Sequence, residues 1–154
     1  MLSKDDEGTP IDATKFKQVI GCLMYLIATR PDLLFGTSLI SRYMANPKES
    51  HWFAIKRLLR YLKGTIEYGI FYKKGRKIDF TAYSDSNYAG DSDDRRSTSG
   101  AVFMIGTTVV SWASNKQPVV SLSTTEAEYI AAAFCACQCI WLERILEHIG
   151  IRNT

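Results

Sequence analysis

Residues 83–91 read "YSDSNYAGD", a stretch that opens as an alternating, aromatic run and closes as turn chemistry. Asp85 stands where one passes into the other, and Asp91 ends it. An aspartate in that place is either a turn-former, because Asp, Asn and Ser bond their own backbone, or a metal ligand presented by rigid backbone. The residues around it extend the pattern. Upstream, "YGIFYKKGRKIDFTAYSD" alternates and is rich in aromatic and β-branched residues, with "KKGRK" as its turn, which predicts two strands. Downstream, the polar loop "NYAGDSDDRRSTS" leads to "GAVFMIG" and "TTVVSWAS", a second hairpin. Consecutive strands joined by short turns predict an antiparallel meander.

Three helices are expected before the strands. Asp12 is placed to cap a helix running to about Thr29, with Phe16, Val19, Ile20, Leu23 and Ile27 as its buried stripe. "RPD" breaks that helix and starts a second, roughly Asp32 to Ala45, because proline suits a first helical turn and restricts the residue before it. A third runs from about Lys48 to Lys63, with Trp52, Ile55, Leu58, Leu59 and Leu62 inside and Gly64 as its left-handed terminator. Its opposite face carries Lys56, Arg57, Arg60 and Lys63. That face is either simply solvated or tracks a phosphate backbone, where each neutralised phosphate releases counterions.

The last element is a long helix, "SLSTTEAEYIAAAFCACQCIWLERILEHIG". Ser123 with Glu126 three residues on is a capping box. Ala127, Ile130, Phe134, Cys137, Trp141 and Ile145 form the expected core stripe, Gly150 closes it, and the helix is expected to be mostly buried. Glu128 lies about 200° around the helix from Glu126. If Glu126 folds back on the cap, Glu128 is the one left to face the sheet.

Composition sets the outer bounds. The apolar fraction of 46% and charged fraction of 23% in 154 residues suit one ordinary soluble domain, or a small domain with an extra helical unit. The most apolar run, Val19 to Ala28, is half of the ~20 residues a bilayer requires, so no membrane span is expected. The acidic start "MLSKDDEGTP" fits neither a secretory signal nor an organellar presequence. A cytoplasmic or nuclear location follows by default, and residues 1–12 are expected to be mobile. Four cysteines, three of them in "CACQC", have helical spacing and point to a reducing compartment. Cys135 and Cys139 share a helix face, but no Cys/His pair at zinc-site spacing accompanies them. His51 reads as a packing or capping residue, and His148 suits the negative end of a helix dipole.

The net charge of +3 is unevenly spread: residues 51–77 hold eight Lys/Arg and one acid, whereas residues 79–94 hold five Asp and no base. A basic segment beside an acidic one is the order expected where one part holds a polyanion and the next binds cations that act on it. Arg95 and Arg96 either touch phosphate or neutralise the neighbouring acids.

The chain resembles the Pol polyproteins of copia-type LTR retrotransposons, at the end of reverse transcriptase and the start of RNase H. The resemblance is carried by "GCLMYLIATRPDLLFGTSLISRYM", "HWFAIKRLLRYLKGT", "YSDSNYAGDSDDRRSTSG", "SWASNKQPVVSLSTTEAEYIA" and "WLERIL", in uninterrupted order from about residue 14 to 149. It implies a mixed α/β (α+β) chain: a mobile start (1–12), a three-helix thumb- or connection-like unit (13–65), and a partial RNase H-like fold (66–154) made of a three-stranded antiparallel meander and a long helix. It also implies chemistry. In that family a first-strand Asp and a first-helix Glu, with two further Asp, hold two Mg²⁺ ions that cleave the RNA of an RNA–DNA hybrid. Asp85 matches the first-strand Asp and Glu128 the helix Glu, so the two are expected to face one another across a sheet–helix junction, with Lys56, Arg57, Arg60, Lys63, Arg95 and Arg96 as nucleic-acid contacts.

The other two family acids belong to "CDN"-like and "KHID"-like motifs that these 154 residues do not contain. Mg²⁺ asks for near-octahedral oxygen coordination, so half the ligand set implies weak or absent Mg²⁺ and no cleavage by this chain alone. A truncated sheet implies an unpaired strand edge, which invites a protein partner or self-association. A domesticated protein–protein interaction module and a non-cleaving nucleic-acid-binding module are therefore the alternatives to an incomplete nuclease.

Overall fold

The computed structural model describes residues 2–72 and 79–150, which divide into two compact units, Met1–Gly69 and Ile70–Thr154. The first unit is helical. Asp12 caps α1 (Ala13–Leu26) by accepting from the N–H groups of Thr14 (2.8 Å) and Lys15 (3.2 Å). A single 3-10 turn, Pro31–Leu33, leads into α2 (Leu34–Ser41), and α3 spans Glu49–Gly64. Phe16, Ile20, Leu23, Ile40 and Ile55 make one buried cluster. At Gly36 an added Cβ would lie 2.9 Å from Leu58 Cδ2, so the absence of a side chain there lets α2 approach α3.

Several expectations for this unit need correction. The second helix starts as a 3-10 turn and ends at Ser41, four residues short of Ala45. Leu59 is 42% exposed because the core side of α3 is taken by His51 and Ile55. Gly64 is the last residue of α3 and Thr65, at φ −130°, caps it; no left-handed residue is used there. The start of the chain, expected to be mobile, is anchored instead. Thr9 O accepts from Glu49 N (2.9 Å), Ile11 N donates to Pro47 O (3.2 Å), and Leu2 and Ile11 pack on the core. The acids that suggested mobility supply ties: Asp5 Oδ2 accepts from Ser50 Oγ (2.6 Å).

The second unit is a three-stranded antiparallel sheet, β1 (Phe80–Asn87), β2 (Thr98–Ile105) and β3 (Thr108–Lys116) in that order, with α4 (Thr124–His148). The β2–β3 turn uses Gly106 at φ 61°, the left-handed geometry a two-residue hairpin favours. A register shift at Phe103/Met104 leaves Val110 as the extra residue of β3. Residues 68–72, expected as a strand, form none: Tyr68 N closes a turn on Thr65 O (3.1 Å), and Phe71 O accepts from Thr108 Oγ1 (3.3 Å) rather than from a ladder partner. The expected turn at 73–77 lies outside the described residues.

On α4 the buried face differs from the expected stripe. Ala127, Ala131 and Cys135 are buried and Phe134, Cys139 and Leu142 pack beside them, whereas Cys137 is exposed, Trp141 is 57% exposed and Ile145 39%. Short side chains at four-residue steps let the helix lie close on the sheet, and bulky ones at those steps would hold it off. The helix is therefore mostly exposed, not mostly buried. Among the described residues α4 alone is long and apolar enough, by length and composition, to cross a bilayer. Its buried face packs on Ala101 and Phe103.

Candidate functional site

The candidate site forms where the end of β1 meets the first turns of α4. Ser123 Oγ accepts from Glu126 N (3.1 Å), and Glu126 Oε2 reaches back to Leu122 N (2.6 Å). Glu126 is thus spent on the cap. Glu128, on the next part of the turn, is exposed and its Oε1 accepts from Ser86 Oγ on β1 (2.9 Å).

Asp85 is the neighbour of that serine. Its Oδ1 accepts from Ser86 N (2.8 Å), so Ser86 donates to both carboxylates, one through its backbone and one through its hydroxyl. The arrangement differs from the facing pair expected. Phe80 and Ala82 pack against the α4 side and Ser86 bonds to it, and strand alternation assigns Asp85, with Tyr83 and Asn87, to the opposite face. The two acids are joined through one residue at a strand end and are not stacked on one face. Both are exposed.

As an ion site this is hard in its donors and short in their number. Two carboxylates and a hydroxyl are the oxygen ligands Mg²⁺ takes, but among the described residues no three His, Cys, Asp or Glu side chains come together as a metal-holding group. Among the described residues, this donor set suits one hard cation.

The acidic loop after β1 has a different role. Asp91 is 3% exposed, its Oδ1 accepts from Asp93 N (2.9 Å) and Asp94 N (3.3 Å), and its Oδ2 lies 2.6 Å from Lys116 Nζ. Lys116 also meets Asp94 at 2.8 Å. Burial would lower the Lys116 pKa, but its hydrogen bonds to the Asp91 and Asp94 carboxylates, with their charges, outweigh it and the net shift is upward. The hydrogen bond from Lys116 in turn holds Asp94 below the usual carboxylate range. Arg96 pairs with Asp94 (3.6 Å), the neutralising role; Arg95 is exposed at φ 60°.

The basic residues of α3, Lys56, Arg57, Arg60 and Lys63, are all exposed. Lys56 Nζ sits 5.2 Å from the centre of the Phe53 ring, and Arg57 borders an apolar groove of about 500 Å³ with Leu58 and Tyr61. These four belong to the first unit, and Asp85, Glu128, Arg95 and Arg96 to the second. His51 is fully buried: Nδ1 accepts from Lys48 N (2.9 Å), Nε2 donates to Ser3 O (2.7 Å), and the ring stacks on Tyr43 at 4.1 Å. It caps α3, as expected. All four cysteines are free thiols, and burial, then the neighbouring Cys135, pushes the Cys139 pKa up to about 11.

The sequence reading passed over Ser86, Lys116 and Gln117. Ser86 had a signal: strand alternation puts it on the same face as Phe80 and Ala82.

Comparison with known proteins points one way. The chain is 44% identical over 146 residues, 94% of its length, to a retrovirus-related Pol polyprotein from transposon RE2 of Arabidopsis thaliana. It is 40% identical over 139 residues, 90% of its length, to that from transposon TNT 1-94 of Nicotiana tabacum. It spans about 10% of each of those polyproteins. It is also 41% identical over 128 residues, 82% of its length and 90% of the other chain, to the secreted RxLR effector protein 161 of Plasmopara viticola. No family model and no solved structure matches it.

Proposed function

The chain belongs to the copia-type, retrovirus-related Pol polyproteins of transposons, and from that premise we propose that its second unit is an RNase H-like segment that engages RNA–DNA hybrids. Asp85 and Glu128 are its acidic residues. The observation that carries this reading is the Asp85–Ser86–Glu128 connection, which joins the first strand to the first turns of the long helix. Mg²⁺, when bound, supplies Lewis acidity for phosphodiester hydrolysis. Glu128 is held toward the site by the Ser86 hydroxyl, and the Glu126 cap keeps the helix start in place. The exposed α3 residues Lys56, Arg57, Arg60 and Lys63, with Arg95, supply phosphate contacts in this reading; a cytoplasmic or nuclear setting accords with it.

Two carboxylates are half the set that the resemblance implies, so a polypeptide of these 154 residues binds hybrid without cutting it. A labelled RNA–DNA hybrid incubated with the chain and Mg²⁺ or Mn²⁺ tests both parts. The expected result is a retarded complex that weakens with salt and with Lys56→Ala/Arg60→Ala, with no cleavage. Absence of any complex contradicts the hybrid reading, and cleavage abolished by Asp85→Asn contradicts the incompleteness.

A second reading is a protein-interaction module. It is favoured by the extent of the match to the secreted effector, a protein nearly coextensive with this chain. Among the described residues β1 pairs with β2 alone, and Ile140, Trp141 and Ile149 are more than half exposed, which offers a surface for a protein partner or a second copy. Concentration-dependent sedimentation of the full chain separates it from a monomeric nucleic-acid binder.

A further inference from the structure

Gln117 is a buried polar side chain of the second unit with three side-chain hydrogen bonds. It is 2% exposed and stands just after β3. Its Nε2 donates to Ser99 Oγ on β2 (3.0 Å) and to the carbonyl of Ala127 on α4 (2.9 Å), while its Oε1 accepts from Ser121 Oγ (2.9 Å). The amide orientation is determined by the network, because a backbone carbonyl only accepts. Ser97 O receives its backbone N–H (2.8 Å). One side chain therefore ties the strand after the acidic loop, the segment before α4, and α4 itself.

Both ends of this network abut the candidate site. Ala127 immediately precedes Glu128. Ser99 is the register partner of Ser86, the residue that donates to Glu128. From this we propose that Gln117 is a positioning residue for Glu128: by holding the Ala127 carbonyl at a set height over β2, it sets where Glu128 meets Ser86. The proposal deepens the reading of Glu128 as a site residue and rests on it. It differs from a packing role, for which any side chain of the same length serves, because it requires two donated hydrogen bonds.

The test uses the full chain with ¹³C-labelled carboxyl groups, the Glu128 resonance being assigned by its loss in Glu128→Gln. Ser86→Ala shifts that resonance in the parent chain. Under the proposal Gln117→Ala moves the Glu128 resonance and reduces its response to Ser86→Ala to less than half. Gln117→Met, which keeps the length but donates nothing, does the same, while Ala131→Gly, a destabilising change further along α4, leaves the response intact. If Gln117→Met restores the parent behaviour, or if the response to Ser86→Ala survives both Gln117 substitutions, the proposal is overturned. Should Gln117→Ala not fold, Gln117→Met gives the same reading, and Ser99→Ala, which removes the acceptor of one donated bond, gives part of it. Hybrid binding is scored separately: a chain in which Gln117 governs Glu128 but no hybrid is retained loses the nuclease reading and keeps the positional one.

Discussion

The two units are held together by different means. In the first, Phe16, Ile20, Leu23, Leu33, Ile40 and Ile55 are at most 2% exposed, a core of large apolar side chains. In the second, Phe103 is the one large apolar side chain so deeply buried among the described residues, and the other buried residues there include the small Ala101, Ala127 and Ala131 and the polar Asp91, Ser97, Thr98, Ser99, Gln117 and Ser121. Apolar burial contributes by area and tolerates substitutes of similar volume. A hydrogen-bonded interior is costly wherever one partner is lost, and it specifies one arrangement. The unit with the polar interior is also the one that carries the candidate site.

Each unit has an ionic hub, and these contrast as well. In the first, Arg30 is 5% exposed; it meets Asp32 through Nε (2.9 Å) and Nη2 (2.7 Å), and donates to Thr65 O (2.9 Å) and Thr65 Oγ1 (2.8 Å). It latches the end of α3 to the turn after α1. In the second, Lys116 holds Asp91 and Asp94. A guanidinium fork fixes directions, whereas an ammonium is a point charge that titrates.

The largest effect expected is on the apolar side of the comparison. Phe16→Ala removes a fully buried ring that packs beside Trp52 and is expected to cost about 3–5 kcal/mol, read as lost amide-exchange protection in α1 and α3. Next, Asp91→Ala removes the side-chain acceptor of the Asp93 and Asp94 N–H groups and one of the two carboxylates that hold Lys116. It is expected to cost about 1–3 kcal/mol, read as lost protection across residues 91–98 and 114–117.

Titration sharpens the contrast further. Asp32, lowered first by the hydrogen bond from Arg30, and Asp94, lowered first by that from Lys116, stabilise the fold above the ordinary carboxylate pKa of about 3.9; both contributions fade as pH falls through their lower folded values. Asp32→Asn is expected to flatten the acid limb of the first unit. At high pH the raised Lys116 contributes fully below about 10.4 and is lost as pH rises through its folded value. Tyr61, raised first by its hydrogen bond to Asp32, behaves likewise in the first unit from about pH 10 upward. Lys116→Arg should therefore reduce the alkaline loss of the second unit, where the raised Cys139 also contributes, and Tyr61→Phe should reduce that of the first. The smallest effect belongs to the misjudged face of α4: Trp141→Ala is expected to change stability by no more than ~0.5 kcal/mol, because 57% of that side chain's residue surface is in solvent.

That last prediction marks where sequence reading fails. The caps were legible, since Asp12 and Ser123 sit directly before periodic apolar runs and their oxygens reach nearby N–H groups. So was the β2–β3 hairpin. The buried side of α4 was not, because hydropathy favours Trp141 and Ile145 while close approach to a sheet selects Ala127, Ala131 and Cys135. Asp85 and Glu128 were named through family resemblance. Their link was hidden, because Ser86 and Gln117 act through tertiary hydrogen bonds to residues 42 and 10 positions away. Arg30 likewise finds Thr65 from 35 positions off, and nothing in "RPD" announces it.

The central proposal is that Asp85 and Glu128, which leave the end of β1 on opposite faces and are each bonded to Ser86, still act on one ion. Paramagnetic Mn²⁺, titrated into the ¹³C-carboxyl-labelled chain, tests it without reference to cleavage. The account predicts that the Asp85 and Glu128 resonances broaden together, at the same Mn²⁺ concentration, and that Asp85→Asn sharpens Glu128 again. Broadening confined to Asp91, Asp93 and Asp94, or Asp85 and Glu128 responding independently of one another, would contradict it.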